Sequence, residues 1–84
     1  MKKPTTTPRP LYQICSEIRK DWKTMPEYAK AHFRAIENAN TIDEMYGCDS
    51  VESEVRYFLS NASSWRGETA KRIKSELKAM VGLK

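Results

Sequence analysis

Few side chains in this 84-residue sequence have the chemistry needed for catalysis or for holding a metal ion. His32 is the only histidine, and on a helix it would share a face with apolar positions, so we expect it to pack at the edge of the core. Zinc sites use about three or four protein ligands, whereas the only cysteines, Cys15 and Cys48, lie far apart in the sequence. We therefore predict that the protein binds no metal and no cofactor and is not an enzyme.

Acidic residues surround Gly47 and leave one catalytic alternative open. They are Asp43, Glu44, Asp49 and Glu52. A small metal-dependent nuclease would use such carboxylates, but their spacing does not match that of the EF-hand calcium loop. Carboxylates are also favoured in the first turn of a helix, where they interact well with the helix dipole. We expect most of these acids to cap helices.

Charge is segregated along the chain. Residues 1–34 hold eight basic and three acidic residues, a net charge of +5; residues 35–64 hold one basic and six acidic residues, a net charge of −5. Residues 65–84 hold six basic and two acidic residues, a net charge of +4. The acidic middle could neutralise its neighbours through weak surface ion pairs in an antiparallel bundle, or the basic segments could bind an acidic partner.

The fourth predicted helix concentrates the basic residues on one face. Lys71, Lys74 and Lys78 lie at i, i+3 and i+7, and such residues are neighbours on a helix surface. A nucleic-acid-binding alternative combines this face with the basic N-terminal arm, because clustered cations bind phosphates in a salt-sensitive way. The residues of that alternative are Lys2, Lys3, Arg9, Arg66, Lys71, Arg72, Lys74 and Lys78.

A distinctive turn precedes this helix. It contains Trp65, Arg66 and Gly67, and tryptophan and arginine are enriched among the residues that dominate binding energies. Our leading hypothesis is a non-enzymatic interaction module that binds a partner protein through this turn and the adjacent basic face. The predicted partner-binding residues are Trp65, Arg66, Gly67, Lys71, Lys74 and Lys78. The simpler alternative is that Trp65 closes the core while Ser64 caps the helix.

Periodic apolar residues predict four short helices in one domain, residues 11–84, with no competing strand pattern. The first helix should span about residues 11–23, and the second should begin near residue 25 and end at Gly47. The third helix should follow a cap at Asp49 or Ser50, and the fourth should span about residues 65–81. Thr24 and Glu27 fit a capping box, and Gly82 with Leu83 fits a Schellman motif. The predicted fold is an all-α, compact four-helix bundle.

The apolar stripes of these helices give the predicted core. The first helix contributes Leu11, Ile14, Cys15, Ile18 and Trp22; the second Tyr28 or Ala29, His32, Ala35, Ile36, Ala39, Ile42 and Tyr46; the third Val51, Val55, Phe58, Leu59 and Ala62; the fourth Trp65, Ala70, Ile73, Leu77 and Val81. About fifteen large apolar side chains, at roughly 1.5–3 kcal/mol each, offset the ordering of such a chain only narrowly. Self-association is therefore an open alternative.

The termini and the cysteines bear on localisation. Residues 1–10 contain three prolines, three threonines and three basic residues, which predicts a flexible basic arm rather than a helix or a secretory signal. No apolar run exceeds three residues, so we expect no membrane-spanning helix. A buried, reduced Cys15 is ordinary on an apolar stripe, and we predict no structural disulfide. The expected location is the cytoplasm.

The sequence from about residue 14 to residue 81 resembles a group of small proteins from tailed bacteriophages and prophages. The resemblance rests on Asp21 and Trp22, Tyr28 and Ala29, Tyr46 and Gly47 with Asp49 and Ser50, FLSNA at 58–62, WRG at 65–67 and A.RIK.EL at 70–77. It implies a phage accessory protein that acts in the bacterial cytoplasm by binding and modulating a host protein. It implies no catalytic residue.

Overall fold

The computed structural model describes residues 9–82. Its helices are α1 (Leu11–Asp21), α2 (Glu27–Ile36), α3 (Val51–Ser60) and α4 (Glu68–Met80), and two short strands, β1 (Met45–Tyr46) and β2 (Asp49–Ser50), form a hairpin before α3. The predicted all-α bundle of four short helices is confirmed. Lys2 and Lys3 of the predicted arm, and Leu83 of the predicted Schellman motif, lie outside the described residues.

Neighbouring helices run antiparallel around the bundle. The amide of Tyr12, at the start of α1, donates to the carbonyl of Ala39 just beyond the end of α2, at 2.8 Å. At the other end of α1, the side chain of Asp21 accepts a hydrogen bond from the side chain of Trp65, which lies just before α4. Arg56 of α3 donates to the carbonyl of Val81 after α4. These contacts place α1 beside α2 and α4, and α3 beside α4, as expected for an up-and-down bundle, while residues 37–50 form a longer connection that contains the hairpin. None of the helices within residues 9–82 has the length and apolar character needed to cross a bilayer.

Aromatic rings form the centre of the core. Phe58 is fully buried, and its ring centroid lies 6.1 Å from that of Trp22 and 6.0 Å from that of Phe33. The predicted stripes of α1 and α4 are all buried, and so is that of α3 except for the partly buried Leu59. Most of these residues follow the 3.6-residue period of their helix, whereas Trp22, Ala62, Trp65 and Val81 lie just beyond the helix ends.

The second helix is shorter than predicted. It ends at Ile36, and residues 37–44 form turns rather than continuing the helix to Gly47. The carbonyls of Ala39 and Asn40 accept hydrogen bonds from the first amides of α1, so this backbone is satisfied by α1 and not by a further helical turn. The Glu44 side chain also accepts from the amides of Asn40 and Thr41, which stabilises the turn locally.

The early end of α2 changes which residues face the core. Tyr46 is exposed, so its predicted place in the core is wrong, and Ile42 is only partly buried. Of the two alternatives at the start of the helix, Ala29 is buried and Tyr28 is exposed. Phe33 and Met25, which the predicted stripe omitted, are buried instead. Ala29, Phe33 and Ile36 follow the i, i+4, i+7 spacing of the helix as it exists.

Gly47 makes a hairpin turn instead of ending a helix. Met45 pairs with Ser50 and Tyr46 with Asp49, which leaves Gly47 and Cys48 as a two-residue loop. Gly47 has φ +64° and no non-glycine residue in the described chain has a positive φ, so only the first loop position needs a glycine. This is the pattern of a type II′ turn, whose twist matches that of the two strands.

The helix starts are partly as predicted. Ser50 caps α3 by accepting a hydrogen bond from the Ser53 amide at 3.1 Å, as expected. The predicted capping box at α2 is wrong, because Pro26 occupies the N-cap position and no side chain caps that helix. The predicted start of α4 at residue 65 is also wrong, since Gly67 takes the N-cap position and its non-helical backbone, with φ +115° and ψ 178°, keeps residues 65–66 outside the helix.

The two cysteines are free thiols in very different surroundings. Cys15 is buried in α1, and burial raises its pKa to about 12, whereas Cys48 is exposed at the hairpin loop. Because the thiolate is the reactive form, we expect one thiol of the native protein to react quickly with Ellman's reagent at neutral pH and the second only after denaturation. Cys48→Ser should remove the fast reaction. Two fast equivalents from the native wild type would contradict the described burial of Cys15.

Candidate functional site

Trp65 joins the end of α1 to the segment that leads into α4. Its ring stacks on Trp22, with centroids 5.6 Å apart and planes within 10°, and its Nε1 donates to Asp21 Oδ2 at 2.7 Å. Only 2% of Trp65 is exposed. Of the predicted partner-binding residues, Trp65 therefore lies in the core, and the exposed side chain of the turn is that of Arg66.

Gly67 turns the chain into α4. Its φ of +115° and ψ of 178° belong to a backbone region that is essentially restricted to glycine. A Cβ atom built at this position would have no other atom within 4 Å. Conformation, rather than close approach of another group, is what requires glycine here.

Lys74 folds back over the same turn. Its Nζ donates to the carbonyl of Trp65 at 2.5 Å and lies 5.9 Å from the centroid of that ring. Burial lowers the pKa of Lys74, and the positive charges of Lys78 and Arg66 lower it further. Three of the predicted basic residues thus lie close enough to repel one another.

The basic residues of this region surround an open hollow of about 540 Å³. We call Arg66, Lys71, Lys74 and Lys78 the α4 basic surface. None of the four forms an ion pair with a carboxylate of residues 9–82. The hollow is lined by Trp65, Arg66, Gly67, Glu68, Ala70, Lys71 and Lys74. The structure therefore brings the predicted site residues together, with Lys78 one turn further along α4 and one carboxylate, Glu68, at the rim.

Two arginines of the nucleic-acid alternative lie on a different side of α4. Arg9 donates to Glu76 through Nη2 at 2.8 Å and Nε at 3.0 Å and also pairs with Glu17 at 2.8 Å. Arg72 pairs with Glu17 at 3.2 Å. These contacts hold the pKa of Glu17 below its usual value, chiefly through Arg9. Arg9 and Arg72 are thus part of a charge network between α1 and α4, apart from the α4 basic surface.

The chain matches no protein-family model, no curated protein and no solved structure.

His32 has a partner that the sequence pattern did not reveal. Its Nδ1 lies 2.7 Å from Oε1 of Glu54, a buried carboxylate of α3, and its ring lies 5.3 Å from that of Tyr57. The pair links α2 to α3 at the edge of the core. Within residues 9–82, no three His, Cys, Asp or Glu side chains are grouped so that they could hold a metal ion.

A second basic hollow, between α1 and α2, was also missed. Its rim includes Lys23 of the connecting segment and Arg34 of α2, and its floor is apolar. The only signal in the sequence was the net charge of +5 over residues 1–34. The residues meet only because α1 and α2 pack antiparallel, which their spacing along the chain does not show.

The backbone of Gly67 allows a direct stability test. We expect Gly67→Ala to lower the free energy of unfolding by about 1–3 kcal/mol, because alanine is strained at this φ and ψ. Urea unfolding measures the difference. Ser64→Ala is the matched control; it should change stability by less than about 0.5 kcal/mol, since Ser64 caps no helix here. A Gly67→Ala variant that is as stable as wild type would contradict the described start of α4. So would a Ser64→Ala variant that is destabilised as much as by the loss of a helix cap.

The Glu17 network predicts a pH-dependent contribution to stability. A carboxylate whose folded-state pKa is depressed stabilises the fold above its unfolded pKa, and this stabilisation is lost as the pH falls through the folded pKa. We expect Glu17→Gln to be less stable than wild type at neutral pH, and the two proteins to converge below the ordinary titration range of glutamate. Urea unfolding between about pH 7 and pH 3 measures this. A constant difference across that range would contradict the network.

Proposed function

We propose that this protein is a small, non-enzymatic helical binding module whose α4 basic surface binds an acidic surface of a partner protein. The observation that carries the proposal is a group of four cations beside an open hollow, without a carboxylate partner among the described residues. By contrast, Arg9, Arg56 and Arg72 each pair with a carboxylate. The α4 basic surface thus groups four cations that no ion pair within residues 9–82 neutralises.

Electrostatic repulsion within this surface favours an acidic partner. The depressed pKa of Lys74 reflects burial together with two neighbouring cations. A carboxylate placed between Arg66 and Lys78 would relieve the repulsion and favour the charged form of Lys74. Charge complementarity of this kind raises association rates and selects against basic partners.

Rigidity of the surface supports the same function. Arg66 directly follows a tryptophan fixed by a ring stack and a hydrogen bond, and Lys71, Lys74 and Lys78 project from one helix. Side chains carried by a pre-organised backbone lose less freedom on binding. Arginine is also the cation most enriched among binding hot spots, which makes Arg66 the leading contact residue.

Nucleic acid is the rival ligand for the same cations. Of the eight residues of that alternative, Arg9 and Arg72 are held by Glu17 and Glu76. The four cations of the α4 basic surface then form a compact group rather than an elongated basic surface. This favours a protein ligand, and the experiment below separates the two.

The resemblance to small phage proteins directs the search for the partner. We propose a host protein of the bacterial cytoplasm, whose activity is modulated when the α4 basic surface covers an acidic patch on it. Such a partner would supply carboxylates around a side chain that enters the hollow next to Gly67.

Capture from a bacterial lysate tests this function. We expect the tagged full chain to retain a defined set of proteins, and the variant Arg66→Glu, Lys71→Glu, Lys78→Glu to lose them. Lys74 is left unchanged because it also bonds the Trp65 carbonyl. Mass spectrometry identifies the retained proteins, and the lysate is treated with nuclease beforehand.

The control is Lys20→Glu, which reverses an exposed charge on α1, outside the α4 basic surface. It should retain the same proteins as wild type, and circular dichroism should show equal helix content in all three proteins. Equal capture by the triple variant would refute the proposal. Capture that disappears upon nuclease treatment would assign the surface to nucleic acid instead.

A further inference from the structure

The α1–α2 hollow is a second site, separate from the α4 basic surface. It is lined by Arg19, Trp22, Lys23, Met25, Lys30, Phe33, Arg34 and Glu37. Its floor consists of the three apolar residues, each buried but not completely covered. Its rim holds four cations and a single carboxylate, so the hollow combines an apolar floor with excess positive charge.

The ion pairs of the rim leave part of this charge unmatched. Arg19 pairs with Glu37 and Lys30 lies 3.7 Å from Glu27. Lys23 and Arg34 form no ion pair with a carboxylate of residues 9–82. The hollow has a volume of about 220 Å³, which is below the roughly 300–1,000 Å³ of typical small-molecule sites. It suits one inserted side chain flanked by carboxylates.

The β1–β2 hairpin of the same protein has the complementary character. Met45 and Tyr46 are 63% and 54% exposed, among the most exposed large apolar residues of the described chain. Asp43 and Asp49 are exposed on either side of them. Tyr46 pairs directly with Asp49 across the strands, and directly opposed residues project from the same face of a hairpin. One face of the hairpin thus presents an aromatic ring beside a carboxylate.

We propose that the hairpin of one copy docks into the α1–α2 hollow of a second copy, with Tyr46 inserted over the apolar floor and Asp49 against Lys23 or Arg34. An exposed apolar residue buried in a pocket with a charged rim is the arrangement that dominates many interfaces. The core of this small domain is modest, and such docking would bury further apolar surface.

The position of Arg34 makes the docking reciprocal. Arg34 lines the α1–α2 hollow and also lines the cleft beneath the hairpin, together with Glu44, Met45 and Tyr46. Hairpin and hollow therefore adjoin on one side of the molecule. A two-fold axis near Arg34 would place each hairpin over the hollow of the other copy, which gives a closed dimer with both contacts made at once.

Sedimentation velocity of the full chain over a range of concentrations tests the proposal. The buffer contains a reductant, because Cys48 is exposed in the same hairpin. We expect a reversible dimer that weakens as salt is added. Tyr46→Ala and Lys23→Glu should each weaken dimerisation by about tenfold or more. An equimolar mixture of the two variants should associate more strongly than either alone, because the mixed dimer retains one intact contact.

Two matched controls make the test specific. Tyr28→Ala removes a tyrosine that is 58% exposed on α2, and Lys71→Glu reverses a charge on the α4 basic surface. Both should dimerise like wild type, and all variants should unfold at temperatures close to that of wild type. A protein that stays monomeric up to about 1 mM, a range of weak association, would overturn the proposal. So would a dimer that is lost with Lys71→Glu, or a variant mixture that associates no better than its components.

Discussion

The stacked pair of Trp22 and Trp65, tied down by Asp21, is the contact on which the rest of the structure depends. The hydrogen bond joins Asp21 and Trp65, which are 44 positions apart in the chain, and it fixes the end of α1 against the entry to α4. Stacked aromatic pairs contribute about 0.5–1.5 kcal/mol beyond the area that they bury. The stack also supports Phe58 on one side, and on the other it presents the Trp65 carbonyl to Lys74. Core packing and the position of the basic side chains therefore have a common origin.

The antiparallel bundle pairs part of the segregated charge and leaves another part unpaired. Between α1 and α4, Arg9 and Arg72 meet Glu17 and Glu76, so part of the segregated charge is neutralised within the fold. On the outer side of α4 the cations have no such partner among the described residues, while the acidic hairpin lies before α3. Paired and unpaired charges thus lie on different surfaces of the described chain. Unmatched charges of both signs on one small molecule favour association with a partner or with a second copy.

The parts predictable from sequence were those that depend on local periodicity. The stripes of α1 and α4 follow from spacing alone, and the Ser50 cap follows from side-chain chemistry. The end of α2 could not be predicted in this way, because amides at the start of α1 donate hydrogen bonds to the carbonyls of Ala39 and Asn40, and this contact joins distant segments. The hairpin, although its pairing is local, was missed because the predicted second helix continued to Gly47. The burial of Trp65 was predicted from its apolar stripe and is confirmed, but the spacing along one helix could not show that its ring stacks on Trp22 at the end of α1.

The most direct test compares Trp65→Phe with Arg66→Glu in both urea unfolding and lysate capture. Phenylalanine keeps a ring in the core but loses the hydrogen bond to Asp21. We expect Trp65→Phe to lower the free energy of unfolding and still to capture the partner proteins, because Trp65 is structural. We expect Arg66→Glu to be as stable as wild type and to lose the partner proteins, because the adjacent cations make the contact. A Trp65→Phe variant that is as stable as wild type but captures nothing would contradict this division of roles.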